Sequence, residues 1–485
     1  MNSGVESPRR VTLIPGDGIG PEVVAAAARV IAAAGAPIEW DSVRAGREVF
    51  AEGNATGVSA GAIESLKRTG VCLKGPLETP IGHGGKSANV TLRKLFETYG
   101  NTRPVRELPG IVTPFSGRGI DFVVVRENVE DLYAGIEHMQ TATVAQCLKL
   151  VSEKGCEKIS RLAFEVALAE GRRSVTCVTK ANIMKLTEGL LKRTFERVAS
   201  DYPDIEPRYM LVDNCAHQLV RQPEAFDVLV TTNMNGDILS DLASGLVGGL
   251  GVAPGANIGQ DLAMFEAVHG TAPDIAGRDL ANPTAMLLSA VMMLRHLRLF
   301  EAADRVEGAV LLTLERGPRT GDIAGKGERA GTRGFTDAVI GNLGKAPSVW
   351  KPRAYRPLHL PEVAMGPDTS PAERMRPVGA DVFVDSSLSP TALGEDIAAL
   401  VAGLPIKLKM ISNRGTVVYP LTGTPTDCVD HWRCRFVPRE AGATFTDDML
   451  IETLRRLAPT HRFMHIEKLC DVDGQRGYAL AQGEE

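Results

Sequence analysis

Residues 11–35, VTLIPGDGIGPEVVAAAARVIAAAG, decide the architecture of the first part of the chain. An apolar strand-like run, VTLIP, enters the glycine loop PGDGIG. Pro21 then opens a helical run that closes at Ala34, with Gly35 just past its end. Strand, loop and helix in that order open an α/β domain. The loop is not a GxGxxG fingerprint, so the usual inference of a Rossmann dinucleotide site fails here. Working outward, apolar strand-like runs alternate with helical segments to about residue 345. Seven prolines between Pro347 and Pro377 mark a linker, assigned to residues 346–377. The tail, 378–485, follows a different pattern. GADVFVD reads as a strand, and a helix capped by Ser389 follows. A hairpin turns at Asn413-Arg414-Gly415, WRCRFV alternates, a helix starts near Thr446, and RFMHIEKL is a last strand. That order predicts a small ferredoxin-like α+β domain.

At 485 residues the chain is too long for one core, and two or three domains are expected. A net charge of −5 gives no footprint for nucleic acid or an anionic membrane, so an anionic substrate must be drawn by a local cationic cluster. The eight cysteines form no CxxC pair, which suits a reducing compartment. The N-terminus has no apolar signal-like core, and the run Ala285 to Leu294 is too short to span a bilayer. These features predict a cytoplasmic protein that engages neither nucleic acid nor membrane.

Four strand candidates each end on a residue that chemistry can use. DFVVV runs into Arg126, SVTCVT into Lys180, YMLV into Asp213, and DVLVTT into Asn233 with Asp237 beyond. Ligands of open α/β sheets bind outside the carboxyl ends of the strands, so the four are candidates for one site. Asp237 and Asp241 stand four apart at the start of a predicted helix, on one face. Two close carboxylates repel unless a cation lies between them, which makes a divalent metal one reading. The other has Asp237 stabilising the helix N-terminus and Asp241 as a surface charge. In GGKSANVTLRKLFETYGNTRPVR (84–106), Ser87, Asn89 and Arg93 follow a glycine-rich turn at a helix start, with Arg103 further on. This is anion-binding chemistry, or else a basic surface helix. Tyr133 is unremarkable by itself.

Taken together, these stretches resemble the isocitrate and isopropylmalate dehydrogenase family. PGDGIGPEV, KGPLETPIG, KSANVTLR, RENVEDLYAGIE, TKANIMKLTEG, TTNMNGDILSD, FEAVHGTAPDIAG and NPTAMLLSA match it in order, over about residues 10 to 345. The tail is similar to the extra domain of a longer bacterial isocitrate dehydrogenase subgroup. The resemblance implies that family's own non-Rossmann fold. Residues 1–100 and 247–345 would form a large cofactor-binding domain, and 101–246 a small substrate and dimer domain with a clasp near 131–154.

The same resemblance implies residue roles. Ser87, Asn89, Arg93, Arg103 and Arg126 would hold substrate carboxylates. Asp237 and Asp241 would bind Mg²⁺ or Mn²⁺, with Asp213 contributed by the second subunit of a homodimer. Lys180, also from that subunit, would help to deprotonate the hydroxyl, and Tyr133 would protonate the enolate. Lys74, Thr79, Glu266, His269, Gly270, Thr271, Ala272, Asp274, Ile275 and Asn282 would line the dinucleotide. The implied substrate is isocitrate, because Ser87 and Asn89 suit a further carboxylate; homoisocitrate, 3-isopropylmalate and tartrate are the alternatives. The tail is expected to support a higher oligomer.

The acceptor is expected to be NAD. Asp274 and Ile275 stand where the NADP-using relatives carry a Lys-Tyr pair, and Ile323 and Gly327 where they supply a tyrosine and an arginine. A carboxylate about 4 Å from a 2′-phosphate would cost roughly 4 kcal/mol at an effective dielectric of 20, about several hundred-fold in affinity. Lys326 and Arg329 lie nearby in sequence and oppose it.

Overall fold

A computed structural model describes residues 8–78, 87–348, 353–363, 375–421 and 426–484. The chain divides into two compact units, Met1–Ala134 with Leu150–Val363, and Gly135–Lys149 with Ala364–Glu485.

The first unit is built on one ten-stranded sheet. Its strands are β1 (Arg9–Ile14), β2 (Ile38–Ser42), β3 (Val71–Lys74), β4 (Gly100–Arg106), β5 (Asp121–Glu127), β8 (Ser174–Thr179), β9 (Glu206–Leu211), β10 (Val228–Thr231), β11 (Pro254–Ile258) and β12 (Ala263–Ala267). The order is β2-β1-β3-β12-β11-β4-β5-β10-β8-β9. The outer parts are parallel, whereas β12, β11, β4 and β5 pair antiparallel in the middle. That central antiparallel patch separates this sheet from a doubly wound one. It makes the two halves expected from the sequence a single sheet.

The opening helix spans Gly20–Ala33 with proline in its first turn, and Gly35 takes φ 72° beyond its end. The glycines of the preceding loop serve close packing. A Cβ on Gly18 (φ 59°) would lie 2.0 Å from the Thr271 carbonyl oxygen, and one on Gly16 (φ 78°) 2.4 Å from that of Pro76. The loop is thereby pressed against both segments, which a side chain would forbid. Thr284–His296 is apolar nearly all round and buried, as a central helix must be. Among the described residues, no helix is long and apolar enough to cross a membrane.

In the second unit the strands Met375–Asp385, Ile406–Asn413, His431–Pro438 and Arg462–Val472 alternate with helices Pro390–Leu400 and Asp447–Leu457. Numbered in chain order the four strands lie 4-1-3-2, the ferredoxin-like arrangement, with Thr416–Tyr419 and Gln475–Arg476 added at the edges. Ser389 and Thr446 accept hydrogen bonds from the backbone N–H of Ala392 and Met449, as helix caps. Arg414 and Gly415 both take positive φ, 51° and 84°, which turns the hairpin. The short strands β6 (Glu137–Met139) and β7 (Ala145–Cys147) pair antiparallel and belong to this unit. The hydroxyls of Thr141 and Thr143 both donate to Asp430 Oδ1, at 2.9 and 2.8 Å. Nothing in the sequence announced that attachment.

Candidate active site

The site lies on one face of the central strands. Alternation along β4 sends Asn101 and Arg103 to this face, and Arg126 on β5 joins them. Arg126 is 1% exposed, a burial that only dense pairing makes tolerable. Its Nε and Nη2 both donate to Asn233 Oδ1, at 2.9 and 2.7 Å, and its Nη1 pairs with Asp237. Arg103 donates to Asn101 Oδ1 (2.8 Å), Ser240 Oγ (2.7 Å), Asp237 (3.3 Å) and Asp241 (3.2 Å). Burial and the neighbouring guanidiniums Arg103 and Arg93 push the Arg126 pKa down to about 10. So three arginines crowd into one place, held there by carboxylates and amides.

Asp237 and Asp241 lie on the helix Asn233–Val247. Burial pushes the Asp237 pKa up, but the Arg126 charge, the Tyr133 hydrogen bond and Arg103 more than offset it, and the net shift is downward. Asp241 moves upward, through burial first and the Asp237 charge as well, against Arg103. Tyr133 sits in a short 3₁₀ turn, Leu132–Ala134. Its hydroxyl donates to Asp237 Oδ2 at 2.6 Å, and its ring faces the Arg126 guanidinium at 5.1 Å. Burial, then the bond to Asp237, raises the Tyr133 pKa.

Beside this cluster is a cavity of about 130 Å³, lined among others by Asn89, Arg93, Asn101, Arg103, Glu266 and His269. Asn89 Oδ1, Arg93 Nε and His269 Nε2 are buried there without a hydrogen-bond partner among the described residues. Such groups cost about 1–3 kcal/mol each when left unpaired, so their combination is what a polar ligand would satisfy. Ser87 caps the helix Ala88–Leu95, which projects Asn89 and Arg93 inward. Glu266 is locked between Lys74 and Arg93 and accepts from Asn257 Nδ2 at 2.7 Å. Asn257 in turn accepts from Asn101 Nδ2 at 2.7 Å. One buried chain therefore runs from Arg103 through two amides to Glu266. The sequence reading missed Asn101, Asn257 and Ser240. For the two asparagines the signal available was their place on strands, where asparagine's β-propensity is poor; Ser240, on a helix, gave none.

Of the four strand-end residues, the fold unites Arg126 and Asn233, with Asp237 one turn further along the helix. Lys180 and Asp213 form a separate pair, Nζ to Oδ1 2.7 Å, at the carboxyl ends of β8 and β9. Strand order explains the separation, because β10 stands between β5 and β8, and β9 is the edge. Asp213 is exposed, and the hydrogen bond from Lys180 lowers its pKa. Among the described residues, no three His, Cys, Asp or Glu side chains group closely enough to hold a metal. Asp237 and Asp241 nevertheless fit a divalent cation in part. They are two carboxylates on one helix face, the outer one raised in pKa by burial and then by its neighbour, and half exposed.

The expected dinucleotide residues occupy the segment after β12 and its surroundings. Thr271 carbonyl accepts from Ile19 N at 2.9 Å, and Ala272 takes φ 38°. His269 Nδ1 lies 3.0 Å from the Gly270 carbonyl oxygen. Asn282 Nδ2 donates to Asp322 at 2.9 Å. Ile275 packs against the core, and Thr79 lies outside the described residues.

The sequence profile of the isocitrate/isopropylmalate dehydrogenase family matches residues 10–339, and that of the bacterial isocitrate dehydrogenase C-terminal domain matches 376–484. The chain belongs to the isocitrate/isopropylmalate dehydrogenase family. A Thermus thermophilus relative named isocitrate dehydrogenase (NADP) is 59% identical over 98% of this chain and 96% of its own length. One from Rickettsia bellii with the same name is 39% identical over 98% and 99%. A solved Thermus thermophilus protein structure superposes with TM-score 0.94 at 57% identity, covering 100% of this chain and 98% of that one.

These family relatives overturn the expected NAD acceptor, since those matching along the whole chain carry NADP in their names. The physical error lies in the weight given to Asp274. Its side chain is exposed, where water screens it. At a water-like dielectric the same repulsion is about 1 kcal/mol, roughly fivefold rather than several hundred-fold. Arg278 adds a cation one turn away, donating to the Asp274 carbonyl at 3.2 Å. A single exposed carboxylate with Arg278 one turn away does not decide the choice.

Proposed function

We propose that the chain oxidises and decarboxylates isocitrate to 2-oxoglutarate, with NADP as acceptor and Mg²⁺ or Mn²⁺ held at Asp237 and Asp241. The observation that carries the reading is the cluster of Arg93, Arg103 and Arg126 beside the Asn89 amide oxygen and Arg93 Nε, which have no partner among the described residues. A compact polyanion with several carboxylates is what such a set would grip, by bidentate forks. The choice of NADP rests on the names of the full-length relatives.

When bound, the cation supplies Lewis-acid stabilisation of charge on the substrate oxygens, and the nicotinamide takes up the hydride. The protein's own part is binding and proton movement. Arg103 and Arg126 are pre-paid in position by Asn101, Ser240 and Asn233, so little ordering remains when substrate enters. Tyr133, kept protonated by its raised pKa, would return a proton to the carbon left by CO₂. Lys180 and Asp213 would take the hydroxyl proton in the partner's site. A homodimer is part of this proposal because in one chain Lys180 and Asp213 follow strands two and three places away from that of Arg126.

The deciding experiment is the initial rate with D-isocitrate and Mn²⁺, with NADP and NAD in parallel. We expect NADP to be favoured by at least about tenfold. A preference for NAD would sink the acceptor assignment, and no rate with either would sink the substrate. For Tyr133→Phe we expect kcat to fall by about 10²–10⁴-fold with the isocitrate KM nearly unchanged. An equal loss through KM instead would make Tyr133 a binding group.

A further inference from the structure

The strands that carry the substrate arginines have a second face. Arg103 and Asn101 point one way from β4, and Thr102, Pro104 and Arg106 point the other way. The same holds on β11, where Gly255 faces the site and Pro254, Ala256 and Ile258 face away. On the far face is a cavity of about 150 Å³, disjoint in its lining from the substrate cavity. Its floor is apolar, made by Val123, Val166, Ala256, Phe265, Leu288 and Met292. An apolar space of that size accommodates a ring the size of benzene.

Part of the lining is ionic. Glu307 is shared by Arg106 (2.8 Å) and Arg295 (2.5 Å). Asp121 and Glu170 are each shared by Arg172 and Arg353. The groups facing the cavity are therefore richer in guanidinium than in carboxylate, although Asp227 and Asp304 reach Arg172 and Arg295 from outside the lining. Arg295 carries the decisive detail. Its Nε is buried with no acceptor among the described residues, while its guanidinium lies 3.5 Å from the centre of the Tyr355 ring. The segment around Tyr355 walls the cavity, pinned by Arg353 and by the Arg356 N–H to the Ala169 carbonyl (2.9 Å).

We propose that this cavity binds a small amphipathic carboxylate, with an aryl or short alkyl tail on the apolar floor and the anion at Arg295, independently of the substrate site. Two features support it together: a preformed apolar space and, in its lining, a buried guanidinium N–H without an acceptor among the described residues. Neither of them contributes to the chemistry proposed above.

The test is calorimetric titration of the full-length protein with 3-phenylpropionate in the presence of saturating isocitrate and Mg²⁺. Binding is expected, with a rise in Tm. The neutral 3-phenylpropanol should bind at least about tenfold more weakly, the loss of one charge-assisted hydrogen bond. Met292→Trp, which fills the cavity from its partly exposed side, should abolish binding, and Arg295→Gln should weaken it while leaving Glu307 paired to Arg106. Absence of binding overturns the proposal, as does binding seen only when isocitrate is omitted, which would put the anion on the substrate arginines. Undiminished binding to a folded Met292→Trp protein overturns it too.

Discussion

Asp237→Asn is expected to lower kcat/KM for isocitrate by about 10³-fold or more, roughly 4 kcal/mol of transition-state stabilisation. The size follows from how many jobs one carboxylate does. Asp237 accepts the Tyr133 hydroxyl at 2.6 Å, neutralises Arg126, and lies 3.3 Å from Arg103. An asparagine can still accept one hydrogen bond, so the fold keeps its shape. It cannot balance two buried guanidiniums, and it would offer a cation much less. Steady-state rates with Mn²⁺ varied over a wide range, beside a denaturation curve, test this. Activity within tenfold of the parent would remove Asp237 from the centre of the site. Rescue at high Mn²⁺ would identify metal affinity as the larger part of the loss.

How much of this was legible before the structure follows from which interactions are local. Helix starts and turns are local, and Ser389, Thr446, Pro21 and Arg414-Gly415 were readable because capping and positive φ act within a few residues. The i,i+4 spacing of Asp237 and Asp241 was readable for the same reason. Strand ends offered candidate residues but not their grouping. Which ends meet depends on strand order, and no local pattern encodes that Lys180 follows a strand next to the edge. The Asn101–Asn257 bridge was invisible because its partners are 156 positions apart. The acceptor failed on a different ground. A charge was read from sequence, but its weight depends on exposure, which only the fold supplies.

Glu266→Gln is expected to destabilise the first unit by about 3–5 kcal/mol, because it leaves two cations without their counter-charge in the interior. Lys74 is 1% exposed and its side chain pairs with Glu266, which Arg93 approaches to 3.3 Å. An amide there keeps the shape and removes the charge. The pH dependence gives a signature that a simple packing defect would not. Burial alone would raise the Glu266 pKa, but Lys74 and then Arg93 hold it down at about 2, against an ordinary 4.5. A depressed carboxylate stabilises the fold fully above its unfolded pKa, and that contribution is lost as pH falls through the folded one. The gap between parent and variant should therefore be constant from neutrality to about pH 5 and shrink toward pH 2. At about 1.4 kcal/mol per pKa unit, roughly 3 kcal/mol is at stake in that window. Urea denaturation at a series of pH values measures it. Adding Lys74→Met to Glu266→Gln should recover part of the loss, since the double variant removes the orphaned charge as well as its partner. A gap independent of pH, with no recovery in the double variant, would mean that Glu266 stabilises by shape and its hydrogen bond to Asn257 rather than by charge.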